Sequence, residues 1–233
     1  MATRLLLAEL VTEFTQQTGQ AVVIESVGGV DAARRVQAGE IFDLVVLGSD
    51  AVDKLLGSGH LQAGSRVDWV FSGVAVAVAQ GSALPDLGSE VAVRNAVLAA
   101  RRISCSTGPS GVALAALFAQ WGIASEVESR MVQAPPGVPV GALVASGEAD
   151  LGFQQLSELL HVSGITVVGP LPPTIQITTT FSAGVPPHVT PGSPQYAAVA
   201  SFLSYLTSDA AAAAIERQGM TPAKSNPIKE TVA

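Results

Sequence analysis

At 233 residues with 48% hydrophobic content, the chain has enough apolar mass for a sizeable core, arranged as one large domain or two modest lobes. Its formal charge of −7, with only 12 Lys plus Arg scattered along it, leaves no basic face for a phosphate backbone and excludes nucleic acid as a partner. The lone Cys105 permits no intrachain disulfide, and no apolar run reaches the roughly 18 residues that a membrane-spanning helix needs.

The opening pattern TRLLLAELVTEF predicts a helix capped by Thr3, with Leu6, Leu10, Val11 and Phe14 on one face and Gly19 as its stop. The largely β-branched run Ala21 to Val27, bounded by Gly28-Gly29, reads as a strand. A second helix is expected from about Asp31 to Ala38, ended by Gly39. The nearly continuous apolar run Phe42 to Leu47 then has the pattern of a parallel strand covered on both faces. Ser49-Asp50 opens a short helix. Val70 to Ala79 is β-rich, Gly81 to Gly88 is a turn-rich break, and Glu90 to Ala100 is helical.

Arg102 to Ser106 reads as a strand feeding the turn STGPSG and a helix that runs to Trp121 and stops at Gly122. Ser129 to Gln133 is a further strand, Pro135-Pro136-Gly137 its turn, and Val138 to Ser146 a helix entered through Pro139. Leu151 to Gln154 and Ile165 to Val168 are strands separated by the helical turn Leu156 to Leu160. The Thr-rich Ile175 to Ala183 is a strand that carries the chain back. Tyr196 to Leu206 and Asp209 to Gln218 close the pattern as helices, and the tail from Thr221 onward reads as loosely ordered.

Two segments of this series say the same thing. VDAARRVQAGEIFDLVVLGS, from Val30 to Ser49, and VPVGALVASGEADLGFQQLS, from Val138 to Ser157, each run from helix through Gly-Glu and an Asp into a short apolar strand and a polar turn. Two copies of helix, tight turn and buried strand point to two α/β lobes whose equivalent loops face each other across a cleft, an arrangement suited to a small molecule. The β-rich segments at Ser72 to Ala75 and Ile177 to Thr180 are placed to cross between lobes. Lobe 1 is then expected to comprise residues 1–73 and 178–233, and lobe 2 residues 74–177, with separate sheets.

The candidate ligand groups are helix starts, whose free N–H donors and positive dipole ends suit an anion without many basic side chains. Gly29, Val30 and Ser49 are expected to face Ser110, Gly111 and Val140, each group offering backbone N–H donors. Gln155, at the end of the second repeat's strand, adds a polar side chain, and Arg4 is the arginine best placed to reach an anion. STGPSG is neither GxxxxGK[ST] nor GxGxxG, which disfavours nucleotides. His60, His161 and His188 stand apart with no metal-ligand spacing, no nucleophile elbow is present, and neither metal nor cofactor is expected.

Over nearly its whole length the chain resembles the type II periplasmic solute-binding proteins of ABC transporters, in the molybdate-binding-like branch. The segments that carry the resemblance are SVGGVDAARRVQAGEIFDLVVLGSDAVDKL, RVDWVFSGVAVAVAQGSALP, STGPSG and GALVASGEADLGFQQLSEL with the strand that follows. It implies a two-lobed α/β fold with mixed, mostly parallel sheets flanked by helices and a ligand cleft between the lobes. It also implies a periplasmic location, although no signal peptide is present, and a possible ABC permease as a membrane partner. Members of the branch begin with a strand and a polar turn ahead of the first helix, whereas Met1 already stands at that helix. Molybdate binders of this type place a hydroxyl residue before the second helix and a Tyr after the second-repeat strand. Here Gly29-Val30-Asp31 and Gln155 hold those places, which favours a di- or tricarboxylate over molybdate. The same branch includes an aconitate-isomerase-like enzyme that moves a proton across an allylic tricarboxylate, for which Asp31 is the candidate base. Binding protein and isomerase both stay open at this stage.

Overall fold

The computed structural model describes residues 1–135 and 137–223. Helix α1 (Arg4–Thr18) buries Leu6, Leu7, Leu10 and Phe14 and ends at Gly19, whose positive φ of 73° closes the last turn. Helix α2 (Gly29–Gln37) leads through the turn at Gly39 to strand β1 (Val45–Gly48), which passes without a loop into α3 (Ser49–Gly57). Strand β2 (Val67–Ala79) is followed by α4 (Glu90–Ala99), β3 (Ile103–Cys105), α5 (Pro109–Gln120), the short α6 (Ala124–Val127) and β4 (Met131–Gln133). The second repeat is α7 (Val140–Ala145), β5 (Leu151–Gln155) and α8 (Leu156–Leu159), again with no loop between strand and helix. Then come β6 (Ile165–Pro170), β7 (Thr178–Gly184), α9 (Pro194–Leu206), α10 (Asp209–Arg217) and β8 (Met220–Pro222).

The strands form one hydrogen-bonded path, β1-β7-β2-β5-β3-β4, with β6 and β8 also paired to β2. Within β2 the partners change: Val67 to Gly73 lies beside β7 and β8, and Val74 to Ala79 beside β5 and β6. The long strand thus belongs to two ladders at once, and the change falls where Gly73 faces Thr178 and Val74 faces Gln155. Each ladder has its own core. Phe14, Phe202 and Tyr205 interlock below Trp69 and Val70, with Phe14 and Phe202 edge to face at 5.1 Å. Phe118 and Phe153 do the same over Val74, Val76 and Ile103.

Four expectations are corrected. The separate sheets expected for the two lobes are joined into one path, because β2 is long enough to pair in both ladders. The sheet is mixed, but only β3–β4 and β3–β5 run parallel and the other described pairs are antiparallel, because the returning strands β6, β7 and β8 all lie against β2. Ala21 to Val27 alternates between exposed and half-buried residues as a strand would, yet it enters no ladder. It runs along a cavity of about 430 Å³ that also borders Val46, Leu47 and Gly48 of β1, the edge strand of the path. Thr221 does not begin a loose tail, because Met220–Pro222 pairs with Val70 to Ser72 and the Ala223 N–H donates to Trp69 O at 2.8 Å. The rest of that tail, residues 224–233, and Pro136 of the expected turn lie outside the described residues.

Candidate functional site

The two repeats meet through Thr179 of β7. A Cβ on Gly48, where β1 turns into α3, would lie 3.8 Å from the Thr179 methyl group, and the Thr179 hydroxyl accepts from Gln155 Nε2 at 2.7 Å, where β5 turns into α8. Equivalent strand-to-helix junctions are thereby brought to the same place by a strand from neither repeat. Gln155 is only 4% exposed, and its Oε1 has no hydrogen-bond partner among the described residues. A buried amide oxygen left unpaired costs about 1–3 kcal/mol, so it marks a place where a donor is wanted.

Its neighbour Gln154, 2% exposed, is fully engaged. Its Oε1 accepts from the Val140 N–H at 2.9 Å and its Nε2 donates to Glu158 Oε2 at 2.8 Å. The amide therefore joins the start of α7 to a half-buried carboxyl on α8. Burial pushes the Glu158 carboxyl above the ordinary range, while the positive amino terminus at Met1 and the Gln154 N–H pull the other way without cancelling it. Leu156 and Leu160, on either side of Glu158, also wedge against Gly219, where a Cβ would stand 2.8 Å from both.

The STGPSG turn is built for close approach. A Cβ on Gly111 would sit 1.9 Å from Ser106 O, so only glycine lets α5 lie this near the end of β3. Ser106 and Ser110 share a hydroxyl hydrogen bond at 3.2 Å, and Pro109 opens the helix. The Gly111 and Val112 N–H groups both donate to Gly108 O, while the Ser110 N–H has no partner among the described residues.

Of the residues expected to bind, Gly48's neighbour Ser49 is half-buried at the start of α3, and Gly29 and Val30 are exposed on the first turn of α2. Arg4 and Gly29 border the cavity that runs to Gly48. Val140 and Gly111 lie on the first turns of α7 and α5, but their N–H groups are taken by Gln154 and Gly108, so among the described residues Ser110 is the open backbone donor of the three. Asp31 is ion-paired with Arg34 at 3.0 Å and 52% exposed on the first turn of α2. Glu158 and Thr179 are not flagged by the sequence. Gln154 and Glu158 are four apart across a strand-to-helix junction, where neither helical nor strand periodicity flags a shared face. A second cavity, about 340 Å³ between α5 and the stretch before β7, reaches none of these residues.

With this geometry in hand, the relatives are informative. Residues 1–221 match the family described as bacterial extracellular solute-binding protein. The chain belongs to that family. A protein named aconitate isomerase, from a Pseudomonas species, is 38% identical over 196 residues, covering 83% of this chain and 72% of the relative. The molybdate-binding protein ModA of Azotobacter vinelandii is 26% identical over 161 residues, 68% of this chain and 63% of its own length. Among solved structures, the periplasmic molybdate-binding protein of Azotobacter vinelandii superimposes with a TM-score of 0.73 at 24% identity, covering 94% of this chain and 95% of that one. The substrate-binding domain of a molybdenum ABC transporter from Clostridium difficile gives 0.73 at 17% identity, with 95% of both chains covered. The solute-binding protein thus has the mixed α/β, two-lobed fold of these proteins.

Proposed function

We propose that the solute-binding protein takes a small organic di- or tricarboxylate, in preference to molybdate, at the junction of Gln155, Thr179, Ser110 and the starts of α3 and α7. In this reading residues 1–73 with 178–233 form one lobe and 74–177 the other, closing about the partner change at Gly73/Val74. The observation that carries it is Gln155 Oε1, buried and unpartnered. A tetrahedral oxyanion offers acceptors alone and leaves that oxygen orphaned, at about 1–3 kcal/mol or roughly five- to hundredfold in affinity. A ligand hydroxyl or protonated carboxyl satisfies it. Gly29, Val30 and Ser49 are assigned to the facing side, with Arg4 near the mouth. Anion contact at Val140 requires Gln154 Oε1 to give up that N–H.

Calorimetric titration with citrate, both aconitates, isocitrate and molybdate is the test. Carboxylate binding with weaker or no molybdate binding is expected; submicromolar molybdate with no response to carboxylates refutes the proposal. By resemblance to the periplasmic neighbours, the captured anion would be passed to an ABC permease. A second reading, isomerisation of the bound carboxylate, is favoured by the 38% identical aconitate isomerase and by a half-buried carboxyl beside the proposed cleft. Proton NMR of an aconitate incubated with the protein separates the two.

A further inference from the structure

We infer that Glu158 is the acid/base group of this cleft, carrying a proton from one end of an allylic carboxylate to the other. The inference rests on the carboxylate reading above and assigns its chemistry to a residue. Position comes first. Glu158 sits on α8, the single helical turn that follows β5 directly, one turn beyond the unsatisfied Gln155.

Orientation is equally specific. Because Gln154 Oε1 is committed to the Val140 N–H, the amide can present only its Nε2 to Glu158, and it holds Oε2 at 2.8 Å. No described residue donates to Oε1, which is the oxygen left to meet a ligand. Many of the other carboxylates are paired with arginines. Asp31 is paired with Arg34, Glu25 and Glu40 with Arg35, Asp53 and Asp68 with Arg66, Asp150 with Arg101, and Glu9 and Glu13 with Arg217. Hydrogen bonds from their arginine partners hold the Glu9, Glu40 and Asp68 carboxyls below the ordinary range, which makes them poor proton acceptors. Glu158 has an amide for its side-chain partner, and burial moves its carboxyl toward the neutral range in which a group both takes and returns a proton.

The step balances within the ligand and this one side chain. The Glu158 carboxylate takes a proton from the CH₂ beside the C=C bond, and the C–H electron pair spreads through the allyl system onto a conjugated carboxylate. The protonated Glu158 then returns the proton to the far carbon, the double bond has moved by one position, and no oxidant, reductant or cofactor takes part. Rotation about the bond that is transiently single allows either geometry in the product.

The experiment incubates the full chain with cis- or trans-aconitate in D₂O and follows deuterium uptake and interconversion by NMR, with affinity measured separately by calorimetry. The wild type is expected to do both. Glu158→Gln, which keeps an acceptor for Gln154 Nε2, is expected to bind aconitate within about threefold of wild type yet lose about 10²–10⁴ in rate, the usual worth of a general acid/base. Glu158→Asp is expected to regain part of that rate. A Glu158→Gln protein, folded by circular dichroism, that turns over within threefold of wild type overturns the inference and leaves the carboxylate reading standing. So does a wild type that binds aconitate but neither exchanges nor interconverts it. If the wild type binds no carboxylate, the underlying reading falls, and the inference with it.

Discussion

Gly111→Ala probes how tightly the STGPSG turn is built. The added methyl carbon would stand 1.9 Å from Ser106 O and 2.9 Å from Ser106 C, both main-chain atoms at the end of β3 that no rotamer change can move. Relief requires α5 to withdraw by more than an ångström, which strains the core contact of Phe118 with Phe153, now at 6.2 Å between ring centroids, and stretches the Ser106–Ser110 hydrogen bond. Overpacking of this kind costs about 1–3 kcal/mol, and the severity of the clash puts this case near about 3. For a chain of this size each kcal/mol corresponds to about 2–4 °C in Tm, so a fall of about 6–12 °C is expected by differential scanning calorimetry. Gly57→Ala is the control: it ends α3, its Cβ would meet nothing within 4 Å, and its melting point should hold or rise slightly. A Gly111→Ala protein melting within about 2 °C of wild type would refute the close helix–strand approach, and with it the reason this turn holds a second glycine.

Thr179→Val removes the acceptor of Gln155 Nε2 and leaves a second buried polar atom unpaired, which should cost about 1–3 kcal/mol in urea unfolding, whereas Thr179→Ser should stay close to wild type. The Asp68 carboxyl is held below its ordinary range by the Arg66 guanidinium, helped by the Ser182 hydroxyl and opposed by burial. Its folded-state value is depressed, so its contribution is present above the ordinary carboxylate value and is lost as the pH falls through the lowered one. Asp68→Asn should therefore flatten the loss of Tm below about pH 4. Glu158 has the opposite sign: its raised folded-state value penalises the native protein above that value and not at acid pH. Glu158→Gln should melt above wild type near pH 8, with the gap closing toward about pH 4; equal melting points at both ends would contradict the burial of this carboxyl.

Local pattern went a long way. Helices α1, α4, α5, α9 and α10 follow from apolar spacing, and the stops of α1, α5 and α10 from the low cost of positive φ at Gly19, Gly122 and Gly219. The repeated helix-turn-strand unit is also legible, because Val45–Gly48 and Leu151–Gln155 are buried and each runs directly into a helix. The sequence by itself determined most of the elements, their repetition and the family.

Pairing was decided only in three dimensions. Ala21 to Val27 has a strand's composition, but a strand exists only where a partner satisfies its backbone, and none of the described residues does so. Met220–Pro222 has no such composition and is a strand because the open edge of β2 lies beside it. The site divides in the same way. Ser110 and Gln155 could be named from turn and strand-end chemistry, whereas Glu158 became visible only when folding set it beside Gln154, took it from water and left it without a guanidinium partner. Burial and charge pairing are properties of the surroundings rather than of the residue, and those surroundings come from parts of the chain that no local pattern joins.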